Sequence, residues 1–144
     1  YGFSFNLGKW RRCFRKEPGA FGCYLSHYLI WEHVAKSRDD KHYCVLEDDV
    51  KLDAVNNFHG SNYIPDRDIV KLSHRLSGPF GTEAYAINRS GANMLIDETN
   101  KTITAPVDRF MWGLKNKHSQ LYGQARRIGL DPIFRNSTLK PKNE

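Results

Sequence analysis

Residues 43–50 constrain the fold more than any other part of the chain, because an apolar run ends there in consecutive carboxylates. The apolar residues 43–46 are followed directly by Glu47, Asp48 and Asp49. A short apolar run bounded by polar loops is typical of a buried parallel strand, and ligands in open α/β sheets collect at the carboxyl ends of such strands. The sequence therefore predicts a layered α/β domain with a candidate site at this strand end.

The adjacent acids predict a cation site. Neighbouring carboxylates repel one another at a half-buried strand end unless a cation or hydrogen-bond donors compensate their charge. Mg²⁺ and Mn²⁺ take carboxylate oxygens and fill their other positions with water and phosphate. Because side chains alternate along a strand, we expect Glu47 and Asp49 to share one metal ion and Asp48 to point to the other side. A solvated acidic turn is the alternative.

Helical and strand patterns alternate along the chain. Residues 20–35 are apolar on nearly every side, which predicts a buried helix, and Ser90 is expected to cap a helix that runs to about residue 98. Short strands are predicted at residues 1–7, 68–72 and 83–88. Strands separated by helices favour a parallel or mixed sheet.

Length and composition favour one soluble domain. A chain of 144 residues with 40% hydrophobic residues can bury a single core but hardly two, so residues 1–144 are interpreted as one domain. No apolar run approaches the ~20 residues needed to cross a bilayer, and no signal peptide is recognisable. We therefore expect a soluble, cytoplasmic protein.

The cysteines are expected to be structural. Cys13, Cys23 and Cys44 lack the spacing of a metal motif. Cys23 falls in the predicted helix and Cys44 in the predicted strand, where we expect both as small core residues. Free core thiols suit a reducing cytoplasm.

Basic residues are concentrated towards both ends of the chain, and the formal net charge is +6. They are Lys9, Arg11, Arg12, Arg15, Lys16, Lys115, Lys117, Arg126, Arg127, Arg135, Lys140 and Lys142. This charge favours anionic membrane surfaces, lipid phosphates or a nucleotide diphosphate as partners. No motif of a nucleic-acid-binding module accompanies it, so we expect no nucleic acid.

Several segments, in the same order, resemble the motifs of glycosyltransferase family 25. Residues 19–31 are similar to its helix-opening motif G-E-x-G-C-x-x-S-H-x-x-x-W, and residues 46–50 match its L-E-D-D-V strand end. Residues 81–87 and 90–92 resemble its G-T-x-A-Y-x-I and x-G-A segments, and residues 106–108 its P-V-D. The family includes bacterial lipooligosaccharide galactosyl- and glucosyltransferases and domains of collagen-modifying enzymes.

The sequence departs from the family pattern in three places. Ala20 stands where the family carries Glu, residues 5–9 only echo its first strand, and residues 56–65 are short for the loop after the acidic motif. We therefore expect part of the N-terminal nucleotide-binding region or some loops to be missing from this sequence.

The resemblance implies a GT-A-like, Rossmann-like domain that binds a nucleotide sugar, with a mixed, mainly parallel sheet flanked by helices. It implies an inverting hexosyltransferase that moves galactose or glucose from a UDP-sugar, with Mn²⁺ or Mg²⁺, to a glycan acceptor. Bacterial lipid-anchored lipooligosaccharide is the expected acceptor. The protein would then work at the inner face of the cytoplasmic membrane, bound peripherally through its basic surface.

Candidate residues exist for each chemical requirement of glycosyl transfer. The acids Glu47, Asp48 and Asp49 are the expected ligands of a metal ion that meets the charge of the leaving diphosphate. Asp108 is the candidate general base for the acceptor hydroxyl. The alternative for Asp108 is a structural N-cap, because it follows a Pro-containing turn.

Other polar and glycine residues are predicted to bind or support the donor. Residues 78–82, which include Gly81 and Thr82, are expected to line the sugar with Tyr85 nearby, since glycine loops bring backbone amides close to a ligand. An ordinary turn before a strand is the alternative for this segment. Ser26 and His27 are polar exceptions in the predicted helix and are interpreted as support for the strand end, or alternatively as ordinary core hydrogen-bonding groups.

Three further alternatives remain open. His118, beyond the Asp108 segment, could complete the metal shell, although its lysine neighbours favour a surface residue. A metal-dependent phosphohydrolase or nucleotidyltransferase could use the same acidic strand end. A non-catalytic fragment that binds a nucleotide or a partner protein is favoured by Ala20 and by the weak match of the first strand.

Overall fold

Helices pack on one face of a four-stranded sheet in the computed structural model, which describes residues 12, 14–50, 66–73 and 81–125. The described elements, in chain order, are α1 (Pro18–Ala35), β1 (Tyr43–Leu46), β2 (Ile69–Lys71), β3 (Ala84–Ile87), α2 (Arg89–Lys101), α3 (Val107–Gly113), a 3-10 turn (Ser119–Leu121) and β4 (Tyr122–Gln124). This arrangement confirms the α/β class and the mixed sheet. The predictions for residues 1–7, Cys13 and residues 56–65 lie outside the described residues.

The sheet has the order β1-β3-β2-β4, and most of its described pairs are antiparallel. β3 runs antiparallel to both β1 and β2, and only β2 and β4 are parallel. The prediction of a mainly parallel sheet is therefore wrong for the described strands. A short apolar run indicates a strand but carries no information on the direction of its neighbours.

β1 lies at an edge of the described sheet and is only partly buried. Val45 is buried beside Tyr85, its partner in the ladder, whereas Cys44 and Leu46 are exposed. The expectations of a fully buried strand and of a core position for Cys44 are both wrong. Antiparallel sheets commonly have one face open to solvent, which accounts for the exposed side chains of β1.

Helix α1 buries one stripe of side chains against the sheet and the other helices. It begins at Pro18, whose fixed φ and missing N–H suit the first helical position. The buried side chains follow helical spacing and are Tyr24, His27, Tyr28, Trp31 and Val34. Cys23 lies beside this stripe and is exposed, so its predicted core position is wrong. Tyr24 links α1 to α2 through a 2.9 Å hydrogen bond to Thr99.

Helix α2 is capped by Asn88, not by Ser90 as predicted. The Asn88 side chain accepts a hydrogen bond from Gly91 N–H at 3.0 Å and donates one to Asp68 at 2.8 Å. Asn88 thereby fixes the helix start to the beginning of β2. Glycine at position 91 allows this close approach, because a Cβ there would lie 2.7 Å from the Ile69 side chain.

The central strands β2 and β3 are buried on both faces of the sheet. The face towards the helices includes Val45, Ile69, Tyr85 and Ile87, and the opposite face includes Val70, Leu72, Ala84 and Ala86. Alternation along the strands divides these residues between the two faces. Among the described residues, no helix has the length and apolar character needed to span a membrane.

Candidate functional site

The candidate site lies where β1 ends and β3 begins. Because these strands are antiparallel, the end of one is adjacent to the start of the other, and Glu47 N–H continues their ladder with a 2.8 Å hydrogen bond to Glu83 O. The Thr82 hydroxyl donates to Glu47 Oε1 at 2.7 Å. Glu47 is thus held by its backbone and by its carboxylate at the edge of the sheet.

The carboxylates after β1 occupy a turn and not a continuation of the strand. Val50 N–H donates to Glu47 O at 3.2 Å, which closes the chain into a turn directly after Leu46. The predicted alternation of Glu47 and Asp49 against Asp48 therefore does not apply. Asp48 is exposed, and one carboxylate oxygen of Asp49 is buried.

His27 connects the helix to this strand end. Its side chain is 6% exposed, with Nδ1 2.7 Å from Tyr85 Oη and Nε2 3.5 Å from Glu47 Oε1. Trp31 Nε1–H also donates to Tyr85 Oη, at 3.1 Å. Burial raises the pKa of Tyr85, which keeps it a neutral phenol. His27 is therefore fixed in position on both sides of its ring.

Residues predicted to line the sugar lie behind the acidic turn. Tyr85 has no exposed surface, and Thr82 is 5% exposed with its hydroxyl on Glu47. Gly81 has φ of +142° and accepts a 2.6 Å hydrogen bond from Trp112 Nε1–H through its carbonyl oxygen. The structure therefore places Thr82 and Tyr85 where they position Glu47 and His27, whereas Gly81 contacts Trp112. Residues 78–80 of the segment predicted to line the sugar lie outside the described part.

Ser26 is not brought into this cluster. It is exposed on α1, and its hydroxyl donates to the carbonyl oxygen of Gly22, one turn earlier in the same helix, at 2.9 Å. A serine hydroxyl that donates to the carbonyl oxygen four residues earlier has its hydrogen-bond partner within its own helix. Of the two polar helix residues singled out from the sequence, only His27 reaches the strand end.

Cys23 joins the cluster, although the sequence reasoning assigned it to the core. Its Sγ, a ring nitrogen of His27 and a carboxylate oxygen of Glu47 lie within 4.8 Å of one another. Burial, together with the charges of Glu47 and Asp108, raises the pKa of the Cys23 thiol. The signal in the sequence was the spacing of Cys23 and His27, which puts them on the same face of a helix one turn apart.

Asp108 lies on α3, and its side chain is half-buried. Its charge is the smallest of the three causes that raise the pKa of Cys23. The structure places the N-cap of α3 at Pro106 and Asp108 within the first helical turn. The alternative interpretation of Asp108 as the N-cap is therefore wrong, although a carboxylate in the first turn still interacts favourably with the helix dipole.

The metal ligands predicted from the sequence are not gathered as a set. In the part of the chain that the structure describes, the group of three or more side chains close enough to hold one ion is Cys23, His27 and Glu47. His118 lies elsewhere, 3.2 Å from Glu98, in a half-buried ion pair. The turn geometry of Asp48 and Asp49 explains why adjacency in sequence does not bring all three carboxylates together.

Comparisons with known proteins agree with the sequence motifs. The model of glycosyltransferase family 25, described as an LPS biosynthesis protein, matches residues 17–64. Inactive glycosyltransferase 25 family member 3 of Homo sapiens is 29% identical over 127 residues, which cover 69% of this chain and 21% of that protein. Procollagen galactosyltransferase 2 of Homo sapiens is 25% identical over 126 residues, which cover 69% of this chain and 20% of that protein.

A third relative is similar over a comparable length. Glycosyltransferase 25 family member of Aedes aegypti is 24% identical over 132 residues, which cover 73% of this chain and 22% of that protein. The chain thus spans about a fifth of the length of the curated relatives it matches. No solved structure is significantly similar to it. The resemblance to glycosyltransferase family 25 is confirmed.

Proposed function

Because the chain resembles glycosyltransferase family 25, we propose that it is the donor-binding part of a glycosyltransferase that moves a hexose from a nucleotide sugar to a glycan. One observation carries the proposal: motifs far apart in the sequence meet in one hydrogen-bonded cluster. His27 from the helix motif, Glu47 from the acidic motif and Tyr85 from the G-T-x-A-Y motif are joined by contacts of 2.7 and 3.5 Å.

The acidic turn is the proposed site of Mn²⁺ or Mg²⁺. Glu47 is directed towards Thr82 and His27, whereas Asp48 is exposed and Asp49 is half-buried. These carboxylates are oxygen donors of the kind that hard divalent cations prefer. A bound cation would stabilise the negative charge that develops on the diphosphate of a UDP-sugar. Thr82 and the backbone bond to Glu83 hold the turn in place for this purpose.

Asp108 is the proposed general base. In a single displacement with inversion, the acceptor hydroxyl attacks the anomeric carbon and loses its proton to a carboxylate on the opposite side from the leaving diphosphate. Asp108 is half-buried in the first turn of α3, and this role places it across the donor from the acidic turn. A GT-A-like arrangement would put the donor between these two groups.

The donor and acceptor are proposed from the relatives and the charge. The name of procollagen galactosyltransferase 2 favours galactose as the sugar, with glucose as the alternative, and the family description favours a lipopolysaccharide-type glycan. A cavity of about 480 Å³ is lined in part by Arg12, Arg15 and Lys16. These cations support peripheral binding to an anionic membrane surface where a lipid-linked acceptor would lie.

The direct test is an assay of UDP release. The chain is incubated with UDP-galactose or UDP-glucose and Mn²⁺, with and without lipooligosaccharide, and p-nitrophenyl phosphate is tested in parallel. Release of UDP that rises with acceptor supports glycosyl transfer. Cleavage of the simple phosphoester with no effect of acceptor would favour the phosphohydrolase alternative.

A non-catalytic binding role is the second candidate function. It is favoured by Ala20, which replaces the family's Glu, and by the similarity to a relative named inactive. Tight binding of UDP with no transfer of either sugar would support this candidate.

A further inference from the structure

We propose that Cys23, His27 and Glu47 form a zinc site that leaves one coordination position open. The three ligand atoms lie within 4.8 Å of one another and come from two elements, α1 and the end of β1. Thiolate, imidazole and carboxylate are ligands that zinc binds together in proteins, whereas Mg²⁺ and Ca²⁺ prefer oxygen alone. This site shares Glu47 with the proposed manganese site but differs from it in its thiol and imidazole ligands, and it does not depend on glycosyl transfer.

The geometry is close to that of a tetrahedral ion. Zinc bonds of about 2.0–2.3 Å place neighbouring ligand atoms roughly 3.3–3.8 Å apart. His27 Nε2 and Glu47 Oε1 already lie 3.5 Å apart. The Cys23 thiol needs to approach them by at most about 1.5 Å to meet this geometry, and its exposed position on α1 leaves it room to rotate.

The partners of the ligands resemble the outer shell of a metal site. A zinc-bound histidine is usually oriented by a hydrogen bond from its other ring nitrogen. Here Nδ1 of His27 is held by Tyr85 Oη at 2.7 Å, which leaves Nε2 directed at Glu47. Thr82 orients the Glu47 carboxylate in the same way, at 2.7 Å. Two of the three ligands are therefore fixed before an ion binds.

The open position faces solvent. His27 is buried and closes the inner side of the site, whereas Cys23 is exposed and the Glu47 side chain is 31% exposed. Zinc sites with three protein ligands keep their fourth position for water or a substrate atom. On binding, the Cys23 thiol loses its proton to solvent as the sulfur–zinc bond forms, and the ion joins α1 to the end of β1.

Cobalt is the probe that tests this proposal most clearly. The reduced 144-residue chain, freed of metal by a chelator, is titrated with Co²⁺. We expect a thiolate-to-cobalt charge-transfer band in the near ultraviolet and the visible bands of a four-coordinate ion, saturating at one ion per chain and removed by Zn²⁺. Absence of the thiolate band would overturn the proposal.

Matched variants identify the ligands. Cys23→Ser should abolish the thiolate band, whereas Cys44→Ser, at another exposed thiol, should retain it. Persistence of the band in Cys23→Ser, or its loss in Cys44→Ser, would overturn the assignment. Because His27 is buried and its replacement could unfold the chain, Glu47→Gln serves as the second ligand variant and should lower Co²⁺ affinity at least about tenfold. Circular dichroism checks that each variant is folded.

The two metal proposals can fail independently. Asp48→Asn changes an exposed carboxylate of the acidic turn and leaves all three proposed zinc ligands in place. It should retain the thiolate–cobalt band even if it weakens the binding of Mn²⁺ with UDP. Loss of the band in this variant would contradict the proposed ligand set.

Discussion

Glu47 and Glu98 each lie beside a histidine, but the other partners described for them differ in kind. Glu98 is 7% exposed, and its Oε1 is 3.2 Å from His118 and 2.8 and 3.3 Å from the ammonium groups of Lys117 and Lys101. Glu47 meets its histidine at 3.5 Å, and its Oε1 accepts a hydrogen bond from a neutral hydroxyl.

This difference separates a structural ion cluster from a candidate binding site. The cations around Glu98 come from α2 and from the segment after α3, and they compensate its charge within the protein. The described partners of Glu47 are an imidazole, a hydroxyl and a nearby thiol, all of which are compatible with an added cation. The contacts of Glu98 thus join two parts of the fold, whereas the thiol and imidazole beside Glu47 are potential ligands of an ion.

The largest effect that sharpens this comparison is expected at Asp108, the general base proposed for the site that contains Glu47. Asp108→Asn keeps the size of the side chain but removes the proton acceptor, so transfer should fall by about 10²–10⁴. Thermal unfolding should change little, because Asp108 is not the N-cap of α3. Asp97→Asn, on an exposed position of α2, is the matched control. Near-normal transfer by Asp108→Asn would mean that the base lies elsewhere.

The next largest effect is expected at Tyr85, which supports His27. Tyr85→Phe removes the partner of two buried groups, His27 Nδ1 and Trp31 Nε1–H, and should destabilise the fold by about 3 kcal/mol in urea unfolding. Tyr122→Phe is the control, since its hydroxyl donates to one described acceptor, the carbonyl of Met111. An equal or smaller loss in Tyr85→Phe would show that the His27 cluster is less constrained than its contacts indicate.

A smaller loss of stability is expected at Gly81. Its φ of +142° is accessible almost only to glycine, and a Cβ there would overlap the carboxylate of Glu83. Gly81→Ala should therefore lower the free energy of unfolding by about 2 kcal/mol. Gly113→Ala, where a Cβ would meet no atom within 4 Å, should change it much less. Similar values for both variants would contradict the assigned strain.

The smallest effect is a pH dependence at Glu98. Hydrogen bonds from Lys117, His118 and Lys101 lower its pKa from 4.5 to about 2 in spite of burial, so the unfolded chain binds the proton more readily. Its contribution is therefore present above about pH 4.5 and is lost as the pH falls towards 2. The difference in unfolding free energy between the native chain and Glu98→Gln should shrink over this interval. A constant difference would show that the cluster does not stabilise the carboxylate.

The positions of the helices and strands were predicted from the sequence better than the pairing of the strands. The helix at residues 20–35 and the strands around residues 45, 70 and 85 were found from local apolar patterns, which depend only on neighbours along the chain. The antiparallel direction of β3 depends on long-range hydrogen bonds and was missed.

The candidate site was predicted only in part, again because local patterns do not determine contacts between distant parts of the chain. The motifs identified Glu47 and His27, whose contacts were expected near the strand end. They did not predict that Cys23 is exposed beside them, because the exposure of a helical residue depends on which stripe the sheet covers. The turn after Leu46 likewise replaced the strand on which the expected alternation of these carboxylates depended.

Combined binding of Mn²⁺ and UDP tests the central claim, that the Glu47 side of the molecule is the ligand site. The melting temperature should rise more with both ligands than the sum of the rises with each alone, because the diphosphate and the carboxylates complete one coordination sphere. Asp49→Asn should abolish this synergy, and Glu98→Gln should retain it. Absence of synergy in the native chain, or unchanged synergy in Asp49→Asn, would contradict the account.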